Sequence, residues 1–229
     1  MMDNWLRGYV LHRRAYRETS YIVDFFSFEA GRVSAVAKGI RNSKSDRKSL
    51  LQPFRPLRFQ LTGKTDLKNV KLLEDNGNAL VLHGKALFCA LYLNEVINRI
   101  LPQGLACEWM FERYQQALDS LVTSADLELT LREFEFSLLE EMGMLADWFS
   151  DGASGEPIRE GAWYIYSAEQ GYVLSQQLDH KYRIPGSALL ALGEGTWSSE
   201  ARRAAKLINR QALNVMLGGK PLKSRELFR

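Results

Sequence analysis

The fold is decided by the stretch Tyr21-Ile22-Val23-Asp24-Phe25-Phe26, because β-branched and aromatic residues concentrate in strands. A turn signal follows at Glu29-Ala30-Gly31, where glycine supplies the positive φ angle that a tight reversal often needs. Residues 32–38 then alternate small apolar with polar side chains, as a second strand does. The sequence thus predicts two strands joined by a tight turn.

Other strands are predicted on either side of this pair. Residues 57–61 alternate cleanly between apolar and polar side chains, and residues 5–11 and 67–73 fit a first and a last strand. Five short strands in about 75 residues favour a small closed barrel over a sandwich.

Helical periodicity replaces the strand pattern after Asn76-Gly77-Asn78. Residues 85–101 are apolar on most faces, which predicts a buried helix that ends at Pro102. Apolar residues also recur at helical spacing over residues 110–121 and 127–142.

A hairpin and a last helix are predicted in the remaining chain. The hairpin pairs residues 163–166 with residues 172–174. Ser198 or Ser199 caps a helix that runs to Leu217.

These patterns predict an α+β chain of more than one domain. A β-barrel domain takes residues 1–79, and a helical domain takes residues 80–229. The helical domain contains a small β-hairpin insertion at about residues 148–180.

Composition limits the class of protein. With 46% hydrophobic and 25% charged residues among 229, the chain has ordinary globular composition. Its apolar runs are too short to cross a bilayer, and its start does not resemble a secretory leader. Cys89 and Cys107 are each isolated, so we expect a reducing, cytoplasmic location without disulfides.

The net charge of +3 conceals an uneven distribution. Residues 1–80 hold 15 Lys and Arg against 8 Asp and Glu, residues 81–194 hold 7 against 17, and residues 195–229 hold 8 against 2. Two basic ends favour separate surfaces for separate partners, with polyanions at the ends. Solvated surface charge that happens to segregate is the alternative.

The residues show no spacing that a known catalytic or metal centre requires. Gly63-Lys64-Thr65 imitates the end of a P-loop, but Arg58 occupies the position of the upstream glycine, so a hairpin turn is favoured. The three histidines have no ligand partner at metal spacing, and neither cysteine belongs to a CxxC pair. We therefore expect a protein that is not an enzyme and that holds no metal or cofactor.

The main candidate site is a set of five cations within residues 38–48: Lys38, Arg41, Lys44, Arg47 and Lys48. Gly, Asn and Ser separate them, which predicts a flexible basic loop that follows a phosphate backbone and releases its counterions. Nearby aromatics are candidate stacking faces for unpaired bases, although a single aromatic is more often part of a core. They are Tyr9, Tyr16, Phe54 and Phe59.

A second basic group begins on the last predicted helix, where Arg203, Lys206 and Arg210 lie along one face. It continues near the C-terminus with Lys220, Lys223 and Arg225. This group is either a second contact for DNA or an acidic peptide, or the ordinary polar face of a helix.

Several motifs occur in a familiar order: Tyr16-Arg17-Glu18-Thr19-Ser20, Val36-Ala37-Lys38-Gly39 and Leu51-Gln52-Pro53-Phe54. The most specific motif is the ending, Leu217-Gly218-Gly219-Lys220-Pro221-Leu222-Lys223-Ser224-Arg225-Glu226-Leu227-Phe228. Together they resemble the RecO family of DNA repair proteins over nearly the whole chain.

The resemblance implies an N-terminal OB-fold and a C-terminal helical domain. It also implies a recombination mediator at the nucleoid that binds single- and double-stranded DNA and anneals complementary strands. RecR is the implied partner in loading RecA, and the sequence leaves open whether RecF takes part.

The helical domain of the family docks the C-terminal tail of the single-strand-binding protein. Arg132, Phe134 and Leu138 are the candidate pocket for that tail, and core packing is the alternative for Phe134 and Leu138. Some members of the family hold a zinc with four cysteines at about residues 148–180. This chain has no cysteine there, so we expect packing alone to hold the hairpin.

The leading hypothesis is therefore a DNA repair mediator that acts by binding. An OB-fold RNA-binding factor without a recombination role is the first alternative. An enzyme with an unrecognised site and a protein scaffold with accidental basic ends are the others.

Overall fold

The computed structural model describes residues 5–41, 47–176 and 181–228. The chain forms two compact units, of which the first comprises Met1–Leu127 with Leu222–Arg229 and the second comprises Glu128–Pro221. The barrel and the two long helices that follow it thus belong to one unit, whereas the sequence predicts a domain division at residue 79. A barrel that folds without those helices stays a prediction.

The described elements follow one another as β1 (Leu6–Tyr16), β2 (Ser20–Ser27), β3 (Gly31–Ala37), α1 (Arg47–Leu50), β4 (Leu57–Thr62), β5 (Leu67–Asp75), α2 (Gly84–Ile100), α3 (Glu108–Thr123), α4 (Leu127–Glu141), β6 (Trp163–Ser167), β7 (Gly171–Leu174), β8 (Ile184–Pro185), α5 (Gly186–Gly193), α6 (Ser199–Met216) and a C-terminal 3₁₀ helix (Lys223–Phe228). None of the helices in the described ranges has the length and apolar character that a membrane span needs.

The first five strands close into a barrel in the order β1-β2-β3-β5-β4. Neighbouring strands are antiparallel except β3 and β5, which run parallel. This is the arrangement of an OB-fold, so the predicted barrel is confirmed. Inward-facing side chains fill the barrel, and among them Phe25 stacks on Phe59 with ring centroids 4.4 Å apart.

The predicted turn between the second and third strands is present, and Gly31 has a φ angle of 64°. The carbonyl oxygen of Leu105 occupies the space that a Cβ atom at residue 31 would need. Gly63-Lys64-Thr65 lies in the loop between β4 and β5, as the hairpin-turn interpretation requires.

Helices α2 and α3 cover the outer side of β2. Phe26 packs against Phe111 and Tyr114 of α3, with ring centroids 5.3 and 5.7 Å apart. The buried Asp24 accepts a 3.4 Å hydrogen bond from the Asn98 amide of α2. Strands 2 and 3 usually provide the ligand face of an OB-fold. These helices therefore cover part of that face, whereas residues 17–19 of the turn after β1 and residues 62–67 between β4 and β5 are exposed.

In the second unit, α6 begins where the sequence predicts. The Ser198 hydroxyl accepts a hydrogen bond from the backbone N–H of Ala201 at 3.1 Å, which caps the helix. The sequence did not predict β8 and α5. Strand β8 adds to the predicted hairpin to form a sheet in the order β7-β6-β8, which packs against α5 and α6 in a second hydrophobic core.

The hairpin is held by more than packing, which corrects the prediction. The carboxylate of Asp151, only 5% exposed, accepts hydrogen bonds from the backbone N–H groups of Ala153, Ser154 and Leu174 at 2.8, 3.0 and 2.8 Å. Burial alone would raise the pKa of Asp151, but the hydrogen bonds outweigh burial and lower it. Asp151 thus ties its loop to β7, and within the described residues no three His, Cys, Asp or Glu side chains gather as a metal site requires.

Candidate nucleic-acid interface

A cleft of about 700 Å³ opens where the turn after β1, the end of β3 and the start of β5 meet. Its lining includes the cations Arg17, Lys38 and Lys68, together with the acidic Glu18. In OB-folds the loops between strands 1 and 2 and between strands 4 and 5 flank the oligonucleotide site. The cleft lies beside both of these connections.

Strand pairing brings the cations together although they are far apart in sequence. Tyr16 pairs with Ser20 across a tight turn, in which Arg17 adopts a φ angle of 52°. Tyr21 pairs with Ala37, so Lys38 leaves β3 beside that turn. The parallel pairing of β3 and β5 adds Lys68, which lies opposite Ala35.

The first part of the predicted basic loop is anchored to the barrel. Ile40 is buried in the barrel core, and the backbone N–H of Arg41 donates to the Thr19 carbonyl at 2.9 Å. The Arg41 guanidinium donates to the Arg17 carbonyl at 3.3 Å. Lys38 and Arg41 are exposed, so both predicted cations are accessible beside the cleft. We call Arg17, Lys38, Arg41 and Lys68 the cleft cations.

At the other end of the segment, Arg47 and Lys48 belong to a helix and not to a loop, which corrects the prediction for these two residues. Lys44 and the side chain of Arg47 lie outside the described residues. Arg47 begins helix α1, and Lys48 is exposed on that helix. The Lys48 carbonyl accepts a 3.3 Å hydrogen bond from the Arg13 guanidinium, which ties α1 to β1.

The cleft cations differ electrostatically from arginines elsewhere on the barrel. Three of those arginines pair with carboxylates: Arg7 with Glu29, Arg55 with Asp75 and Arg58 with Glu74. Among the residues that the structure describes, no carboxylate lies within ion-pair distance of a cleft cation. Their charge is therefore available to a ligand.

Most of the predicted stacking faces are core residues, so that prediction is wrong for them. Tyr9, Phe54 and Phe59 are at most 5% exposed. Phe59 faces the barrel interior, and Tyr9 packs edge-on against Tyr114 of α3. Tyr16 is half-buried at the cleft, where the Arg17 guanidinium lies 5.1 Å from its ring centroid.

Two family models together cover most of the chain. The model described as recombination protein O N terminal matches residues 1–75, which hold the barrel strands. The model described as recombination protein O C terminal matches residues 82–226. The chain belongs to the RecO family. The expectation from the sequence motifs is therefore confirmed.

RecO proteins of several bacteria are similar to this chain along its length. The DNA repair protein RecO of Alteromonas mediterranea is 52% identical over 229 residues, which cover 100% of this chain and 98% of that protein. The RecO of Pseudoalteromonas atlantica is 45% identical over 229 residues, covering 100% and 95%. The RecO of Cellvibrio japonicus is 41% identical over 223 residues, covering 96% and 94%.

The second basic group of this RecO-family chain is divided between the two compact units. Its members in the second unit are Arg203, Lys206, Arg210 and Lys220, and those in the first are Lys223 and Arg225. Arg203, Lys206 and Arg210 are exposed on α6, and the Lys206 ammonium lies 3.5 Å from the Glu128 carboxylate. A contact of this group with DNA or an acidic peptide stays a prediction.

The residues predicted to form the pocket for the single-strand-binding-protein tail do not line an open pocket. Phe134 and Leu138 are 2% and 0% exposed, so they pack in the core because α4 turns them inward. Arg132 pairs with Glu135, and the Asn209 amide donates to the same carboxylate at 2.9 Å. A RecO partner that used Arg132 would have to compete with this ion pair, and such a site stays a prediction.

Proposed function

We propose that this RecO-family protein is a recombination mediator in DNA repair that binds single- and double-stranded DNA. It anneals complementary strands and helps to load RecA onto DNA covered by single-strand-binding protein. RecR and the C-terminal tail of single-strand-binding protein are its proposed protein partners.

The observation that carries this proposal is the group of cleft cations without carboxylate partners. Arg and Lys that contact phosphates release condensed counterions, which provides most of the sequence-independent affinity for nucleic acid. Phosphate contacts position a strand without engaging its base edges. A strand held in this way keeps its bases free to pair with a second strand, as annealing requires.

The proposed activity is binding, without the making or breaking of covalent bonds. RecO-family membership supports the role in DNA repair. Steady turnover of ATP, or cleavage of DNA by the purified protein, would contradict the non-enzymatic part of the proposal.

The test compares two double variants that remove the same net charge. Lys38→Gln with Arg41→Gln removes two cleft cations, whereas Arg55→Gln with Arg58→Gln removes two arginines that are already paired with carboxylates. Affinity for a single-stranded oligonucleotide is measured by fluorescence anisotropy at several salt concentrations. We expect Lys38→Gln with Arg41→Gln to bind more weakly. The decrease of log affinity with log salt should also become less steep by about 1.4, at roughly 0.7 for each lost phosphate contact.

Equal losses in the two variants would show that overall charge, and not the cleft, governs binding. Competition with duplex DNA and with RNA of the same length completes the experiment. A marked preference for RNA would contradict the mediator role and favour an OB-fold RNA-binding factor.

A further inference from the structure

The three-stranded sheet in the second unit has an outer face that its core does not use. Tyr164 of β6 pairs with Ile184 of β8, and both are buried against the helices. Successive residues of a strand point to opposite sides of the sheet. Trp163, Ile165 and Val173 therefore share the outer face, where Ile165 and Val173 pair directly across β6 and β7.

An exposed tryptophan with an arginine stacked on it dominates this outer face. Trp163 is 43% exposed, and the Arg183 guanidinium lies 4.7 Å from its ring centroid. Pro185 lies opposite Trp163 in the register of β6 and β8, and Arg183 is two residues earlier, which places its side chain on the same face. A flat apolar ring and a flat cationic group thus lie together at the surface.

Unpaired bases are the ligand that this pair of side chains fits best. Bases of single strands stack on aromatic rings and on guanidinium planes exposed by a β-sheet. Among the described residues, Arg183 has no carboxylate within ion-pair distance. One arginine gives this face only a small excess of positive charge, so stacking must carry the interaction.

We infer that this outer face is a second site for single-stranded DNA, where unpaired bases stack on Trp163 and Arg183. The inference rests on the proposed function, because it assumes that the protein binds single strands. Bases in a duplex are stacked on each other and leave no face free except at the ends. The site would therefore give the protein a preference for unpaired strands that phosphate contacts in the barrel do not provide.

The test uses the full chain and three probes of equal length: an oligothymidine, an abasic single strand and a blunt duplex. The variants are Trp163→Ala, Trp163→Phe and, as a control, Phe149→Ala, which removes another exposed aromatic ring from the second unit. Removing an aromatic ring that stacks on one base typically weakens binding by one to two orders of magnitude. We therefore expect Trp163→Ala to bind oligothymidine roughly tenfold more weakly than the wild type. Trp163→Phe and the control should keep most of the affinity.

Trp163→Ala should bind the abasic strand and the duplex with the same affinity as the wild type. The salt dependence should also stay unchanged, because no phosphate contact is removed. Unchanged affinity of Trp163→Ala for oligothymidine, or an equal loss on the abasic strand, would overturn the inference. A wild-type protein that binds no single strand at all would instead overturn the proposed function, so the two failures are distinguishable.

Discussion

The hydroxyl of Tyr114 in α3 donates a 2.6 Å hydrogen bond to the side-chain oxygen of Asn94 in α2, and both residues are buried. The Asn94 amide donates in turn to the Leu11 carbonyl at 3.1 Å, beside the irregularity where β1 shifts register against β2. One buried side chain thus links two helices to the barrel. Burial raises the pKa of the Tyr114 hydroxyl well above its ordinary value, so the hydroxyl remains a donor at neutral pH.

Removal of the Tyr114 hydroxyl should destabilise the first unit. Tyr114→Phe leaves the Asn94 oxygen buried without that donor, which costs about 1–3 kcal/mol of the free energy of unfolding. Tyr9→Phe is the matched control, because the Tyr9 hydroxyl accepts a 3.2 Å hydrogen bond from the Gln115 amide in a partly buried site. Urea unfolding followed by circular dichroism compares them, and a larger loss for Tyr9→Phe would contradict the role assigned to Asn94.

Gly31→Ala should lower the free energy of unfolding by more than the strain of an alanine at a positive φ angle accounts for. An alanine at positive φ costs about 1 kcal/mol, and the new methyl group would also overlap the Leu105 carbonyl oxygen. Gly39→Ala isolates the first effect, because Gly39 has a φ angle of 70° with no atom within 4 Å of the added Cβ. Thermal or urea unfolding should therefore show a greater loss for Gly31→Ala, and equal losses would remove the close approach from the explanation.

The contribution of Asp151 to stability should depend on pH. Folding lowers the pKa of this carboxyl through the hydrogen bonds from Ser154, Ala153 and Leu174. Its contribution is therefore complete above the unfolded-state pKa of about 3.9 and is lost as the pH falls through the lower folded-state value. The difference in the free energy of unfolding between wild type and Asp151→Asn should be largest above pH 5 and shrink in acid. A difference that is constant with pH would contradict this account.

The C-terminal 3₁₀ helix should depend on Glu95 of α2 for its attachment to the first unit. The Glu95 carboxylate accepts hydrogen bonds from the backbone N–H groups of Lys223 and Ser224 at 2.9 and 2.8 Å and from the Ser224 hydroxyl at 2.6 Å. Burial alone would raise the pKa of Glu95, but these hydrogen bonds lower it, so the carboxylate is charged at neutral pH.

Glu95→Gln should weaken these contacts by about 1.5–3 kcal/mol, because hydrogen bonds to charged groups are the stronger ones. Faster trypsin cleavage after Lys223 and Arg225 is the measurement. Glu112→Gln, at an exposed position of α3, serves as the control, because it removes the same charge away from the cleaved bonds. Cleavage at the wild-type rate in Glu95→Gln would show that packing alone holds the segment.

The two cleft cations that lie outside the basic segment should contribute to binding as much as the two within it. Arg17→Gln with Lys68→Gln should weaken binding of a single-stranded oligonucleotide. The decrease of log affinity with log salt should become less steep by about 1.4, because two phosphate contacts are lost. The measurement is the same anisotropy titration, with Arg55→Gln and Arg58→Gln as the control of equal charge. A salt slope equal to that of the wild type would place these two cations outside the DNA path.

Local patterns determined much of the fold. Alternation over residues 57–61, the turn at Gly31 and the cap at Ser198 were all predicted, because each depends on neighbours within a few positions. The short strand β8 was not predicted, since two residues carry no periodicity. Its pairing with β6 depends on residues some 20 positions away.

The candidate site divides in the same way. The sequence by itself predicted Lys38 and Arg41 as candidate site residues, because they belong to a run of cations, and the order of its motifs identified the RecO family. Only the tertiary structure brought Arg17 and Lys68 beside them, and only it placed Phe59 in the core and Trp163 at the surface. Strand pairing and burial join residues that are distant in sequence, and no periodicity within a single segment encodes which distant segment it will meet.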